Sequence, residues 1–237
     1  MVMVDERRDT AEVLHGTDPF ADGTITEPVV RVCEPTRPAI VLGSRQTDEL
    51  LDLARVADAG LEVVRRRSGG GAVLLRPEAI VWIDLVVPHG TAPDDVRGSM
   101  IWAGERWREA LVARGAERHR LDVHDGGMEC TPWSGLVCFA GLGPGEITVE
   151  GRKLVGLSQR RTRHGVRIQG QVHRRSILGE MPALFSVDTP SVPIAEVATL
   201  ADANLADTAL ADVTAHELAV SLAESIAGPA GARTTPV

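Results

Sequence analysis

The chain has 237 residues, 43% of them apolar and 24% charged, with a net charge of −8. That balance excludes a disordered or collagen-like chain, and a chain this long buries roughly 70–75% of its unfolded surface without disulfide or metal staples. Apolar runs such as Ile80 to Val87, broken by Asp84, are too short to cross a bilayer, and Met1 to Arg8 is charged where a signal peptide is apolar. Cys33, Cys130 and Cys138 show no metal-ligand spacing and suit a reducing compartment, so a cytoplasmic protein with no metal site is expected. Tyrosine is absent and phenylalanine rare, which leaves the core to Val, Leu, Ala and Ile. All basic residues but one are arginine; Lys153 is the exception, and a compact ammonium differs from a planar fork.

Residues 1–25 lack clear periodicity and are expected to form a loosely ordered arm. Val29 to Cys33 and Ala39 to Leu42 read as strands around a proline turn. A helix capped by Thr47 or Asp48 is expected to run to about Ala59, where Gly60 ends it. Leu61 to Arg65 and Ala72 to Leu75 then read as strands joined by a turn at Ser68 to Gly71, and Ile80 to Val87 as a core strand. Asp94 or Asp95 opens a helix through Val112. A short strand at 120–123 and a turn-rich loop at 125–135 follow. Leu136 to Phe139, Ile147 to Glu150, Leu154 to Gln159 and Val166 to Val172 read as strands in hairpins. Thr214 to Glu217 is a capping box opening a helix to Ile226, after which residues 229–237 are expected as a flexible tail. The class is α/β, a mixed and largely antiparallel sheet flanked by helices, in one domain over 26–228.

Charge is unevenly spread. Eight bases against two acids lie between Gly145 and Arg175, and seven acids with no lysine or arginine lie between Asp188 and Glu224. A basic middle in an acidic chain points to an anionic ligand or an acidic partner surface. Without interleaved aromatics it does not point to nucleic acid, and nothing points to a membrane partner.

Two segments carry chemistry. In Arg65 to Val73, three glycines (Gly69, Gly70, Gly71) after Ser68 let backbone approach a ligand and aim N–H groups at an anion, with arginines to neutralise it. A flexible hairpin turn is the plainer reading. The segment is neither a Walker loop nor a dinucleotide fingerprint. In Gly151 to Arg160, a turn at Gly151 sets Lys153 at the start of a strand, where it can stabilise charge developing between a carboxylate and a phosphate, or lie as an ordinary surface lysine. Seven histidines are scattered without metal spacing. Ser68, His173 and Asp84 can be drawn as a triad, but no spacing asks for it. The tryptophans read as packing residues, with Trp133, in the glycine-rich loop near Cys138, an alternative wall for a ligand tunnel.

Together these segments resemble the lipoate–protein ligase family, which shares its fold with biotin ligases and octanoyltransferases. Arg65 to Val73 is similar to its Arg-Arg-x-Ser-Gly-Gly-Gly-Ala-Val loop, Gly151 to Gln159 to its lysine segment, and Val41 to Gln46 to an earlier strand end. The resemblance implies activation of lipoate or octanoate by ATP with Mg2+, then transfer of the acyl group to a lysine of a lipoyl carrier domain of a 2-oxoacid dehydrogenase or the glycine cleavage system. Arg66 and the backbone of Gly71, Ala72, Val73 and Leu74 would hold the nucleotide, with Lys153 bridging carboxylate and phosphate. Departures are Leu74-Leu75-Arg76 after the loop, Arg167-Ile-Gln-Gly-Gln171 after the lysine, and a chain that stops at Val237 without an accessory domain, so a separate accessory subunit is one expected partner. Cys138, in a Val-Cys-Phe segment, resembles the nucleophile of single-domain octanoyltransferases, which take octanoate from acyl carrier protein as a thioester; the plainer reading is a small buried hydrophobe. A non-catalytic relative that binds lipoate or the carrier is the third reading.

Overall fold

The computed structural model describes residues 2–21, 23, 25–203 and 210–228. The chain runs β1 (Met3–Asp9), α1 (Ala11–Gly16), β2 (Val29–Pro35), β3 (Ala39–Leu42), α2 (Leu53–Asp58), β4 (Glu62–Arg65), β5 (Val73–Leu75), β6 (Ile80–Pro88), α3 (Val96–Ala113), β7 (Leu121–Val123), β8 (Ile147–Val149), β9 (Arg152–Thr162), β10 (Gly165–His173) and α4 (Ala215–Ala227). A seven-stranded sheet has the order β1-β2-β6-β10-β9-β8-β7, and a three-stranded sheet the order β4-β3-β5. All pairings are antiparallel except β1 with β2 and β3 with β4. This is the mixed, largely antiparallel α/β architecture that the sequence implies. Among the described residues no helix is long and apolar enough to cross a membrane.

Strand β6 explains the layering. Its Val81, Ile83, Leu85 and Val87 pack with α3 and α4, while Ile80 and Trp82 face the small sheet. A strand covered on both faces reads as a near-continuous apolar run, as Ile80 to Val87 does. Helix α3 is capped by Asp95, whose side chain accepts the Gly98 N–H, and α4 opens on the expected Thr214–Glu217 capping box. Such caps contribute about 1 kcal/mol each.

Asp84 is the exception in β6, fully buried on the small-sheet side. Its carboxylate accepts from Trp82 Nε1 at 2.7 Å and from Arg167 Nε at 2.7 Å. Arg167, carried by the neighbouring β10, also donates to the carbonyls of Leu14 (2.7 Å) and Thr17 (3.0 Å). One buried ion pair therefore ties the end of α1 to the middle of the large sheet.

That tie corrects the expectation of a loose arm over residues 1–25. Residues 3–9 add a parallel edge strand to the sheet, Thr10 caps α1, and Ala11, Leu14, His15 and Phe20 are buried. An exposed edge strand of charged residues shows no alternation, and a helix of six residues is too short to show a period. Two further expectations change. The helix expected from Thr47 to Ala59 is a 3-10 turn at Asp48–Leu50 and then α2, because Leu51 pairs with Phe185 and Asp52 caps Arg55. Strands β4 and β5 do not form a hairpin, since β3 lies between them. Residues 229–237, expected as a tail, lie outside the described residues.

Candidate active site

Because β4 and β5 flank β3, residues Arg66 to Ala72 must cross the end of that strand rather than turn tightly. Arg66 is buried and clamps this crossing from within: its Nη2 donates to the carbonyls of Gly69 and Gly71, both at 2.8 Å. The Ala72 N–H donates to Leu136 O at 2.7 Å, and the Cys138 N–H returns to Ala72 O at 2.9 Å. Gly71 lies so near that a Cβ there would sit 2.7 Å from Val137 C and Cys138 N. The close approach inferred for the glycines is thus made, at Gly71, to the chain's own Val137–Cys138 backbone. Val73 and Leu74 continue into β5, where Leu74 is buried in the core.

The segment expected as a strand over 136–139 pairs with the loop only at Ala72–Val137 and then closes as a 3-10 turn, Cys138–Ala140. Lys153 fixes that turn. Hairpin β8–β9 turns on Glu150 and Gly151, both at positive φ (52° and 74°), as a two-residue turn requires, and sets Lys153 in the second position of β9. Its buried Nζ donates to Cys138 O (3.1 Å) and Gly141 O (3.0 Å) and pairs with Glu146 Oε2 at 2.7 Å. Glu146, also buried, accepts the N–H groups of Gly143 and Leu157. All three ammonium donors are engaged. Lys153 lies 4.9 Å from the Phe139 ring centroid, and Phe139 meets His173 edge-on at 4.6 Å.

Cys138, half-buried, stands where two spaces meet. One is a small, largely apolar cavity of about 40 Å³, walled by Val41, Val73, Leu75, Trp82, Phe139 and Leu157. The other is an open groove of about 540 Å³, lined by Gly69 to Gly71, Met100, Met128, Glu146 and Lys153. Trp82 rather than Trp133 walls the cavity; Trp133 is buried elsewhere, with its Nε1 on Val192 O at 2.9 Å. Polar groups close one side. Ser68 Oγ is 3.1 Å from Ser158 Oγ and 3.3 Å from Gln169 Oε1, and Gln169 Nε2 is 3.2 Å from His15 Nδ1. His15 stacks on Trp82 at 4.3 Å. Burial, reinforced by Arg167 and Arg66, holds its imidazole well below the usual value, and burial pushes His173 down to about 4. Among the described residues no group of three or more His, Cys, Asp or Glu could hold a metal ion.

Residues 20–226 match the lipoyl protein ligase A/B catalytic domain. The chain belongs to this family. It is therefore an enzyme domain of the acyl ligase and acyltransferase type, as the two motifs imply. The octanoyltransferase LipM of Kyrpidia tusciae is 30% identical over 222 residues, covering 88% of this chain and 78% of that protein. The octanoyltransferase LipM of Moorella thermoacetica is 32% identical over 137 residues, covering 57% of this chain and half of that protein. The fold is shared with the bi-partite lipoate protein ligase of Thermoplasma acidophilum, solved with its E2 lipoyl domain (TM-score 0.64, 15% identity, 95% of this chain and 81% of that one). It is shared equally with lipoate-protein ligase A bound with ATP (TM-score 0.63, 16% identity, 95% and 83%).

Within the family frame, the sequence reading brought Arg66, Ser68 to Ala72, Cys138 and Lys153 into one neighbourhood, as the structure does. It missed Glu146, His15 and Gln169. Glu146 sits in an irregular segment where a single acid carries no signal, and His15 lay in the supposed arm. Removing the ammonium in Lys153→Met leaves Glu146 buried without a countercharge, so unfolding free energy should fall by about 3–5 kcal/mol in urea titration. Lys153→Met with Glu146→Gln should recover much of it; equal loss in both would contradict the pairing. The histidines set a pH dependence. Below about 6.5 the unfolded chain takes up protons that buried neutral His15 and His173 refuse, so stability is held above that pH and lost as pH falls toward 4. The slope is at most about 1.4 kcal/mol per pH unit per histidine. His173→Gln should flatten it between pH 6.5 and 5, measured as urea midpoints.

Proposed function

We propose that this domain is an octanoyltransferase working through a Cys138 thioester, with an acyl carrier protein as donor and a lipoyl carrier domain of a 2-oxoacid dehydrogenase or the glycine cleavage system as acceptor. The observation that carries the reading is the position of Cys138, which borders both the apolar cavity and the open groove. The apolar lining of the cavity suits the hydrocarbon of an acyl group, and the groove gives the two carriers successive access to one sulfur. In the first step the Cys138 sulfur attacks the donor thioester carbonyl. The new C–S bond forms, the donor's C–S bond breaks, and the cysteine proton ends on the departing thiol. In the second step the acceptor lysine's amine attacks the Cys138 thioester, an amide forms, and the amine's proton restores the cysteine.

The relatives named LipM support this route over the ATP-dependent one. So does the bonding of the residues assigned to the nucleotide: Arg66 holds the Gly69 and Gly71 carbonyls, the Ala72 N–H holds Leu136, and Lys153 holds Glu146 and two carbonyls. A triphosphate with Mg2+ would need these donors released, so no step is derived through ATP. Lys153 is here a positioning residue for the cysteine turn.

The test is transfer to a purified lipoyl domain, followed by mass. With octanoyl-acyl carrier protein and no ATP, the domain should gain one octanoyl group, and Cys138→Ser should slow this by at least about 10³-fold. Modification only from free octanoate with Mg-ATP, undiminished in Cys138→Ser, would establish the ligase instead.

A further inference from the structure

The small cavity beside Cys138 has a direction. Gln171 of β10 is paired with Gly156 of β9 on one side and with Trp82 of β6 on the other. Directly paired residues of neighbouring strands share a face, so these three form one row beneath the small sheet. At the β9 end the ring of Phe139, the residue after Cys138, lies over Gly156, where a Cβ would sit 2.7 Å from Phe139 Cζ. At the β6 end stands the Trp82 indole. Two interstrand spacings, roughly 9–10 Å, separate these ends. Val41, Val73 and Leu75 of the small sheet roof the row.

The indole is held from two sides. Its Nε1 donates to Asp84 Oδ1 at 2.7 Å, and Asp84 is itself fixed by Arg167. The His15 ring stacks on it with centroids 4.3 Å apart, and Gln169 holds His15 at Nδ1. Trp82 also lines a second space, an open groove of about 640 Å³ whose walls include Pro35, Pro77, Ile80 and Ala215. The indole is therefore a fixed partition, with the cavity that reaches Cys138 on one side and this groove on the other.

We infer that Trp82, propped by His15, is the stop that limits the length of acyl chain the cavity accepts, the carboxyl end lying at Cys138 and the methyl end against the indole. The inference rests on the reading that the acyl group carried by Cys138 occupies this cavity. Extra methylenes meet a wall that moves only by breaking the Asp84 bond and the His15 stack, so longer chains are refused. Once the indole is cut back, they run through into the groove behind it.

Calorimetric binding of octanoate and dodecanoate to the intact protein tests this, since the ratio of the two affinities does not depend on how much of a variant is folded. The parent should bind octanoate the more tightly, and Trp82→Leu should move the ratio toward dodecanoate by at least about tenfold. If Trp82→Leu does not fold, Trp82→Phe, which keeps a ring but shortens the wall, should move the ratio the same way. Trp133→Leu removes a buried tryptophan outside the cavity and should keep the parent's ratio. A parent that binds neither acid, or dodecanoate as tightly as octanoate, would overturn the stop; so would a ratio unmoved by the Trp82 variants or moved equally by Trp133→Leu. The transferase reading fails separately, by absence of Cys138 acylation from any acyl thioester while Trp82 still sets the binding ratio.

Discussion

The site depends on one buried ammonium. Lys153 draws together the start of β9, the carboxylate of Glu146 and the carbonyls at both ends of the Cys138–Gly141 segment. Two charges taken from water into the protein interior are tolerable only with close pairing and full hydrogen bonding, and Glu146 meets that condition with two backbone N–H groups as well. An arginine fork is too wide and too flat to collect three acceptors converging from different directions. The chemistry of the lone lysine in an arginine-rich chain follows from this convergence.

From that anchor the remaining geometry is constrained on the other side by Gly71. The glycine crossing lies against Val137 and Cys138 with no room for a side chain, and the Ala72 hydrogen bonds lock the two segments in register. Cys138 is thus gripped by its backbone from the loop and from the lysine, while its sulfur is left between cavity and groove. On the proposed transferase reading, preorganisation of this kind would place the nucleophile without requiring the substrate to order it.

The strong strands and long helices were legible in the sequence because their signals are local: alternation, a capping box, an Asp cap. The glycine loop and the lysine segment were legible as a motif. Their partners were not. Gly71 read as a contact for ligand, since nothing in a sequence distinguishes an approach to a phosphate from one to the chain's own backbone 66 residues on (Val137). Arg66 read as a nucleotide-holding residue, and the structure shows that it ties its own loop. The Asp84–Arg167 pair, 83 residues apart, seats α1 on the sheet, since Arg167 also donates to Leu14 O. Long-range pairings of this sort decide which groups remain free, and here they leave Cys138.

The most direct measurement is to locate the acyl group. Incubating the purified protein with octanoyl-acyl carrier protein in the absence of ATP, then mapping peptides by mass spectrometry, should find one hydroxylamine-labile octanoyl group on Cys138. An acyl group on another residue, or none on the protein while the lipoyl domain is modified only when ATP is supplied, would contradict the account.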